Sequence, residues 1–313
     1  MSTKSPFRIA AIICATMLSP ALYAQNEGPL FGPPPEDRNQ ITIGIGVGAA
    51  PRFDGDDDYK LQPGGLVRGK VEGFEFSMRG LNLYVDLVRE KPEKKVNFIA
   101  GPVAQLRTER TGGLKDPRIQ LLGEKDAAIE LGGYVGVGKR GVLIQPDSLT
   151  FDISFVHDVA NVHDSYIIKP AVSYASPLSQ RTFASLGVSA DYVGGGYGRT
   201  YFDTPAIAAP IPTISGYATD GAGFKSIGTS LLLAHDLGGD NRKGWGLFAL
   251  TGYSRLLGQY ARSSLVREAG AADQFLGIVV PGCKADARPR RKSSGICTRD
   301  RSTAVKSLAS VGN

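Results

Sequence analysis

Apolar side chains recur at every second position over runs of about 9–12 residues, and few folds accept that period at that length. The stretch SLTFDISFVHD puts Leu149, Phe151, Ile153 and Phe155 on one face and Thr150, Asp152 and Ser154 on the other. RTFASLGVSADY sets Thr182, Ala184, Leu186, Val188, Ala190 and Tyr192 against Phe183, Ser185, Gly187, Ser189 and Asp191. ITIGIGVGA alternates Ile or Val with Thr or Gly from Ile41 to Ala49, and GWGLFALTGYSR aligns Trp245, Leu247, Ala249, Thr251 and Tyr253. Each run is a strand with two unlike faces.

Two architectures yield such a list, a water-soluble sandwich and a transmembrane barrel. Soluble strands usually run about 5–6 residues and membrane strands about 9–11, so length favours the barrel. The second faces are rich in Gly, Ser, Thr and Asp, as a wet lumen requires. Tyr134, Tyr166, Tyr174, Tyr192, Trp245 and Tyr253 fall near strand ends, where an interfacial aromatic girdle belongs, although high β-propensity alone also places aromatics in strands.

Connection lengths test this independently. Strands are expected near 41–49, 64–71, 73–79, 81–88, 96–107, 127–138, 148–158, 166–175, 181–192, 224–236, 244–255 and 272–280. The long connections, 50–63, 108–126, 193–223 and 256–271, then all follow odd-numbered strands. An antiparallel barrel with long loops at one end and tight turns at the other predicts that alternation. The fold class is therefore all-β, a transmembrane antiparallel β-barrel over 41–280 of about twelve strands, with ten the neighbouring even count. Closure follows from hydrocarbon, where an unpaired peptide group costs several kcal/mol.

The two ends differ from the body. Lys4 and Arg8 precede an apolar run from Ile9 to Leu18, and SPALYA offers Ala24 as a cleavage point, so residues 1–24 read as a secretory signal peptide. Cys14 lies in a poor lipoprotein context, and residues 25–40 are a Pro-rich periplasmic lead-in. The whole chain carries 36 basic and 30 acidic residues, but residues 25–280 hold 26 against 28. The body is nearly neutral and gives no argument for a nucleic-acid partner. It also lacks cysteine, so burial and backbone hydrogen bonds must hold it. Residues 281–313 carry 8 basic side chains against 2 acidic, no strand period, and Cys283 and Cys297. They read as an atypical disordered tail, with a Cys283–Cys297 periplasmic loop as the lesser alternative.

Candidate chemistry is sparse. VHDVANVHDSY repeats His157-Asp158 and His163-Asp164, types that ligate metals, yet the pairs straddle a turn and His157 projects opposite Asp158. A solvated turn is the preferred reading. Asp54, Asp56, Asp57 and Asp58 lack the spaced ligands of a calcium loop and read as an exposed acidic loop. A lipid hydrolase would need a serine beside a histidine; Ser230 and His235 are five residues apart with no nucleophile elbow. GGGYG at 194–198 reads as a flexible loop, not a phosphate cradle. No catalytic, cofactor-binding or metal residue is assigned, and no cofactor is expected.

YGRTYFDTPAIAA (197–209) and YSRLLGQYARSSLVREAGAADQF (253–275) resemble the MltA-interacting protein (MipA/OmpV) family of Gram-negative outer membranes. The late block matches a YxRLxGxxAxSxxV pattern through Tyr253, Arg255, Leu256, Gly258, Ala261, Ser263 and Val266. PRFDGDDDYKLQPGG is similar to an early segment of the family, with Phe53 where Tyr is usual, and AAIELGGYVG to a mid-chain strand. The resemblance spans about 41–280 and implies a non-catalytic outer-membrane barrel, exported through the signal. It also implies a scaffold linking a murein-hydrolysing lytic transglycosylase to a murein synthase. Other members resemble adhesion or immunogenic surface proteins, so a surface adhesin or antigen barrel stays open, as does a small-solute channel. A lumen plugged by Phe183, Phe248 and paired charges weighs against the channel. Arg255 is expected to pair with lumen carboxylates such as Asp191 or Asp152. Family members end in a strand closed by an aromatic residue, whereas here that strand, ADQFLGIVV, stops short and the tail follows.

Overall fold

The computed structural model describes residues 39–79, 81–89, 94–205, 214–239 and 244–286. Among them twelve antiparallel strands close into one barrel, each beside its sequence neighbours and β1 beside β12. In order they are β1 (Gln40–Pro51), β2 (Tyr59–Val71), β3 (Phe74–Arg79), β4 (Asn82–Asp86), β5 (Val96–Arg107) and β6 (Ala128–Arg140). There follow β7 (Ser148–Asp158), β8 (Tyr166–Pro177), β9 (Thr182–Val193), β10 (Gly223–Gly239), β11 (Gly244–Leu256) and β12 (Asp273–Asp286). No described helix is long and apolar enough to cross a membrane.

Alternation decides which face is wet. On β1 the outward Ile43, Ile45 and Val47 are exposed while Gln40, Thr42 and Ala50 are buried inside. On β7, Leu149, Phe151, Ile153 and Phe155 face out and Asp152, Ser154 and Asp158 face in. An apolar outer belt around a polar interior is the inverse of a soluble barrel and fits a lipid surround. Tyr166 stacks on Phe155 and Tyr192 meets Phe224 edge-on, both on that outer face, with Trp245 and Tyr253 also exposed there. Tyr134 departs from the expected girdle. It lies inside, 7% exposed, packed edge-on against Tyr84 at 5.2 Å, because its parity on β6 matches buried Glu130.

Connections after odd-numbered strands share one end of the barrel, and all four expected long ones lie there. The described turns after even-numbered strands, with the start of β1 and the end of β12, lie at the other. Inward glycines let neighbouring strands cross closely. A Cβ on Gly46 would lie 1.9 Å from the Val279 carbonyl oxygen, so only glycine fits beside β12 there.

Two strand ends depart from expectation. β2 starts at Tyr59, five residues earlier than its composition suggests, and carries Pro63 within it. β3 meets β2 only from Arg68 to Val71, so among the described residues no strand pairs with the β3 side of Tyr59–Val67. A proline is tolerated on such an edge because it has no N–H to leave unpaired. The barrel also does not stop at Val280. β12 continues to Asp286, pairing Pro281 with Leu247 and Cys283 with Trp245 on one side, and Lys284 with Thr42 on the other. Backbone pairing to two neighbours carries the strand through a basic, cysteine-bearing sequence that composition assigns to the tail. The β1 ladder skips Ile45 and Gly46 beside Pro281, whose missing N–H removes a rung. Residues 287–313, with Cys297 and the expected disorder, lie outside the described residues, as do the signal segment and residues 25–38.

Candidate functional site

At the loop end the described connections pack together over the lumen. Among the described residues four short helices, α1 (Pro117–Leu121), α2 (Gly195–Tyr201), α3 (Gly258–Arg262) and α4 (Ser264–Ala269), lie in these loops. Phe53, Ile119, Tyr197, Phe202, Tyr260 and Leu265 are buried together there in one apolar layer. The GGGYG stretch is not a flexible loop. Gly194 caps α2 and Gly196 and Gly198 are buried in it. A Cβ on Gly196 would sit 2.3 Å from the His163 carbonyl oxygen, so glycine allows α2 to dock on the β7–β8 connection.

Beneath that layer lies a polar network drawn from eight segments of the chain. Arg107, at the top of β5, donates from Nε to Glu130 of β6 at 2.6 Å, and His163 Nε2 lies 2.9 Å from the same oxygen. Arg107 also donates to the Tyr197 hydroxyl at 3.0 Å, and that hydroxyl donates to Asp54 at 3.0 Å. Lys225 pairs with Asp54, and its Nζ lies 3.2 Å from Asp191, which Lys169 approaches at 3.2 Å. Lys225 is there because β10 slips register between Phe224 and Ser226. The extra residue of this bulge turns Lys225 into the lumen while Phe224 stays outside, 55% exposed.

The electrostatics follow from burial and pairing. Burial alone would raise the Asp54 carboxyl, but the Lys225 and Arg107 cations hold it below its ordinary value. Glu109 responds oppositely: desolvation and the neighbouring Asp54 charge push it up to about 7, although Asp54 N–H donates to it at 2.7 Å. Burial pushes the Tyr197 phenol well above its ordinary value, so it stays protonated and can donate. Deeper in the lumen, Phe183, Ala234, Phe248 and Val280 form a second apolar layer toward the turn end. Phe183, Phe248 and the paired charges are thus buried inside the barrel in two tiers, while the inward-facing Ser230 is exposed.

The sequence candidates distribute differently from expectation. His157 faces outward and Asp158 inward, as expected, and Val159, Ala160, Asn161 and Asp164 of the turn are exposed, but Asp158 and His163 are buried. Asp158 is 1% exposed and accepts from the N–H groups of Ala160, His163 and Asp164, while His163 is buried against Glu130. The acidic loop is likewise drawn in: Asp54 enters the lumen network and Asp56 is 5% exposed. Ser230 faces the lumen, next to Gly187, whereas His235 lies outside against Thr182 at 3.0 Å. The barrel wall separates that pair. Arg255 does not reach lumen carboxylates. It lies on the outer face and pairs with Asp273 at 2.8 Å, where Tyr253 also donates at 2.6 Å.

Sequence reading missed Arg107, Glu130 and Lys225. The legible signal was a charge out of place in a strand: Glu130 between Ile129 and Leu131, and Lys225 beside Ser226 where alternation calls for one inward residue.

At the turn end, one hairpin is built to a different plan. The β6–β7 turn, residues 141–147, projects Leu143 at 77% exposure and Ile144 at 42%. Asp147 holds it rigid, accepting from Val142, Leu143 and Ile144 N–H at 2.6, 2.8 and 3.0 Å and from the Tyr174 hydroxyl at 2.7 Å. Those donors outweigh desolvation and pull the Asp147 carboxyl down to about 2.

Comparison with known proteins gives one strong match. The family model described as MltA-interacting protein MipA matches residues 43–280. A search of the curated proteins finds no match. Among solved structures, a Pseudomonas aeruginosa FadL homologue aligns at 12% identity over 80% of this chain and 91% of its own, with a TM-score of 0.33. The Pseudomonas putida toluene transporter TodX aligns at 10% identity over 82% and 91%, also with a TM-score of 0.33. A bacterial polysaccharide outer membrane secretin aligns at 9% identity over 81% and 99%, with a TM-score of 0.32. At those scores the structural likenesses carry no argument.

Proposed function

We propose that this chain, which belongs to the MltA-interacting protein family, is a non-catalytic outer-membrane barrel that holds murein-processing enzymes at its periplasmic turns. In this reading the turn end faces the periplasm and the long loops face outward. The observation that supports it is the packing inside the barrel among the described residues. Loop residues, the Arg107–Glu130–His163 and Asp54–Lys225–Asp191 groups, and the Phe183–Phe248 layer are buried in the interior, which weighs against a wide channel. The charged groups there are engaged with one another, and the activity left to such a barrel is to position partners.

The test is capture from the native membrane. Cross-linking in the cell, followed by purification of the barrel, should recover a lytic transglycosylase of the MltA type. Recovery of none, with the barrel present in the outer membrane, would sink the scaffold reading. Planar-bilayer recordings discriminate the channel alternative: the barrel should show no conductance steps, and steps would move the assignment to a pore.

A further inference from the structure

The β6–β7 turn and the β4–β5 connection lie side by side at the turn end, joined by the Arg140 N–H donating to the Lys95 carbonyl at 2.8 Å. Leu143 and Ile144 stand at the tip of that pair, exposed yet fixed by three backbone hydrogen bonds to Asp147. Ordinary tips carry small polar residues and move freely. A rigid tip bearing two large aliphatic side chains loses little conformational entropy on binding.

Tyr174 is an outward residue near the turn end of β8, and its hydroxyl meets Asp147. Tyrosines gather at membrane–water interfaces, and residues 142–145 lie in the turn that this Tyr174–Asp147 contact anchors. The surroundings are basic. Lys94 and Lys95 lie in the adjoining connection, and Lys139 and Arg140 precede the tip. Lys94, Lys95 and Lys139 are exposed.

We propose that this tip is the docking surface for a water-soluble protein that offers an apolar groove with an acidic rim. Leu143 and Ile144 enter the groove and the lysines meet the rim. The inference rests on the scaffold reading and names its contact face: the protein held there is the murein hydrolase. Aliphatic insertion supplies the hot spot, and the basic rim orients the encounter.

The experiment uses the full chain in phospholipid nanodiscs and a soluble MltA-type lytic transglycosylase as the probe. Leu143→Asp with Ile144→Asp should weaken binding roughly 30-fold or more, the size of a hot-spot truncation. Lys94→Glu with Lys95→Glu should weaken it several-fold and flatten its salt dependence. Leu121→Asp, an exposed change at the loop end, should leave affinity as it was. Heat-modifiable migration reports folding of each variant, and Leu143→Ser with Ile144→Ser replaces the acidic pair if that pair does not fold. Wild-type binding that survives the tip changes overturns the docking surface while leaving the scaffold reading intact. Loss of wild-type binding in nanodiscs and in detergent alike overturns both. A tip effect seen in nanodiscs and absent in detergent assigns the tip to lipid and overturns the proposal.

Discussion

Lys225 sits 3.2 Å from Asp191 because the strand that carries it slips by one residue beside its partner strand. Without the bulge, strict alternation would send Lys225 into lipid and leave two lumen carboxylates short of a cation. Lys225→Met should destabilise the barrel by about 3–5 kcal/mol, the usual cost of stripping one partner from a buried ion pair. Adding Asp54→Asn should recover much of that loss. Urea unfolding in lipid vesicles measures both, and additive losses would contradict the pairing.

Glu109 gives the loop end a pH dependence of definite sign. Its folded value, about 7, is above its ordinary 4.5, so the folded state holds the proton more tightly. The contribution is fully present below about 4.5 and is lost as pH rises through 7. Glu109→Gln should flatten the stability profile between those limits. A profile unchanged by the substitution would mean that Asp54 and Glu109 do not sense each other.

Asp147 acts in the opposite direction. Its carboxyl is depressed to about 2, so its support for the turn is present above the ordinary carboxylate range and fades as pH falls through 2. Asp147→Ala should free the amides of Val142, Leu143 and Ile144. Hydrogen exchange at those amides should accelerate while exchange in β6 and β7 stays slow.

Arg255 and Asp273 provide the contrast. Both are about half exposed on the outer rim, at 56% and 45%, where solvent screening leaves an ion pair worth about 1 kcal/mol or less. Arg255→Ala should therefore move the unfolding midpoint far less than Lys225→Met. Comparable losses would mean that the rim pair is shielded by bound lipid headgroups.

The strand plan was legible because the membrane imposes it twice, through period-two faces and through loops gathered at one end. What escaped was decided by contacts between distant segments. Tyr59–Pro63 looks like loop from its polar and proline content, and it becomes strand because β1 supplies a partner for each residue. Pro281–Asp286 extends for the same reason, between β1 and β11. Asp54, Asp56 and His163 read as solvated because loop residues usually are. Here the loops turn inward to fill the mouth, and no local signal records that. Tyr134 was assigned to the outside by its type, although its parity with Glu130 pointed inside.

The wall formed by β3 and β4 is low. These strands have 6 and 5 residues where β10 has 17. Five extended residues rise about 16 Å, and hydrocarbon is about 30 Å thick, so the bilayer beside this pair must thin or pucker to meet the protein. Hydrophobic thickness therefore varies around the ring, and the mismatch is directional. A barrel of this shape would thin its bilayer on one flank alone, giving it a preferred side toward thin membrane.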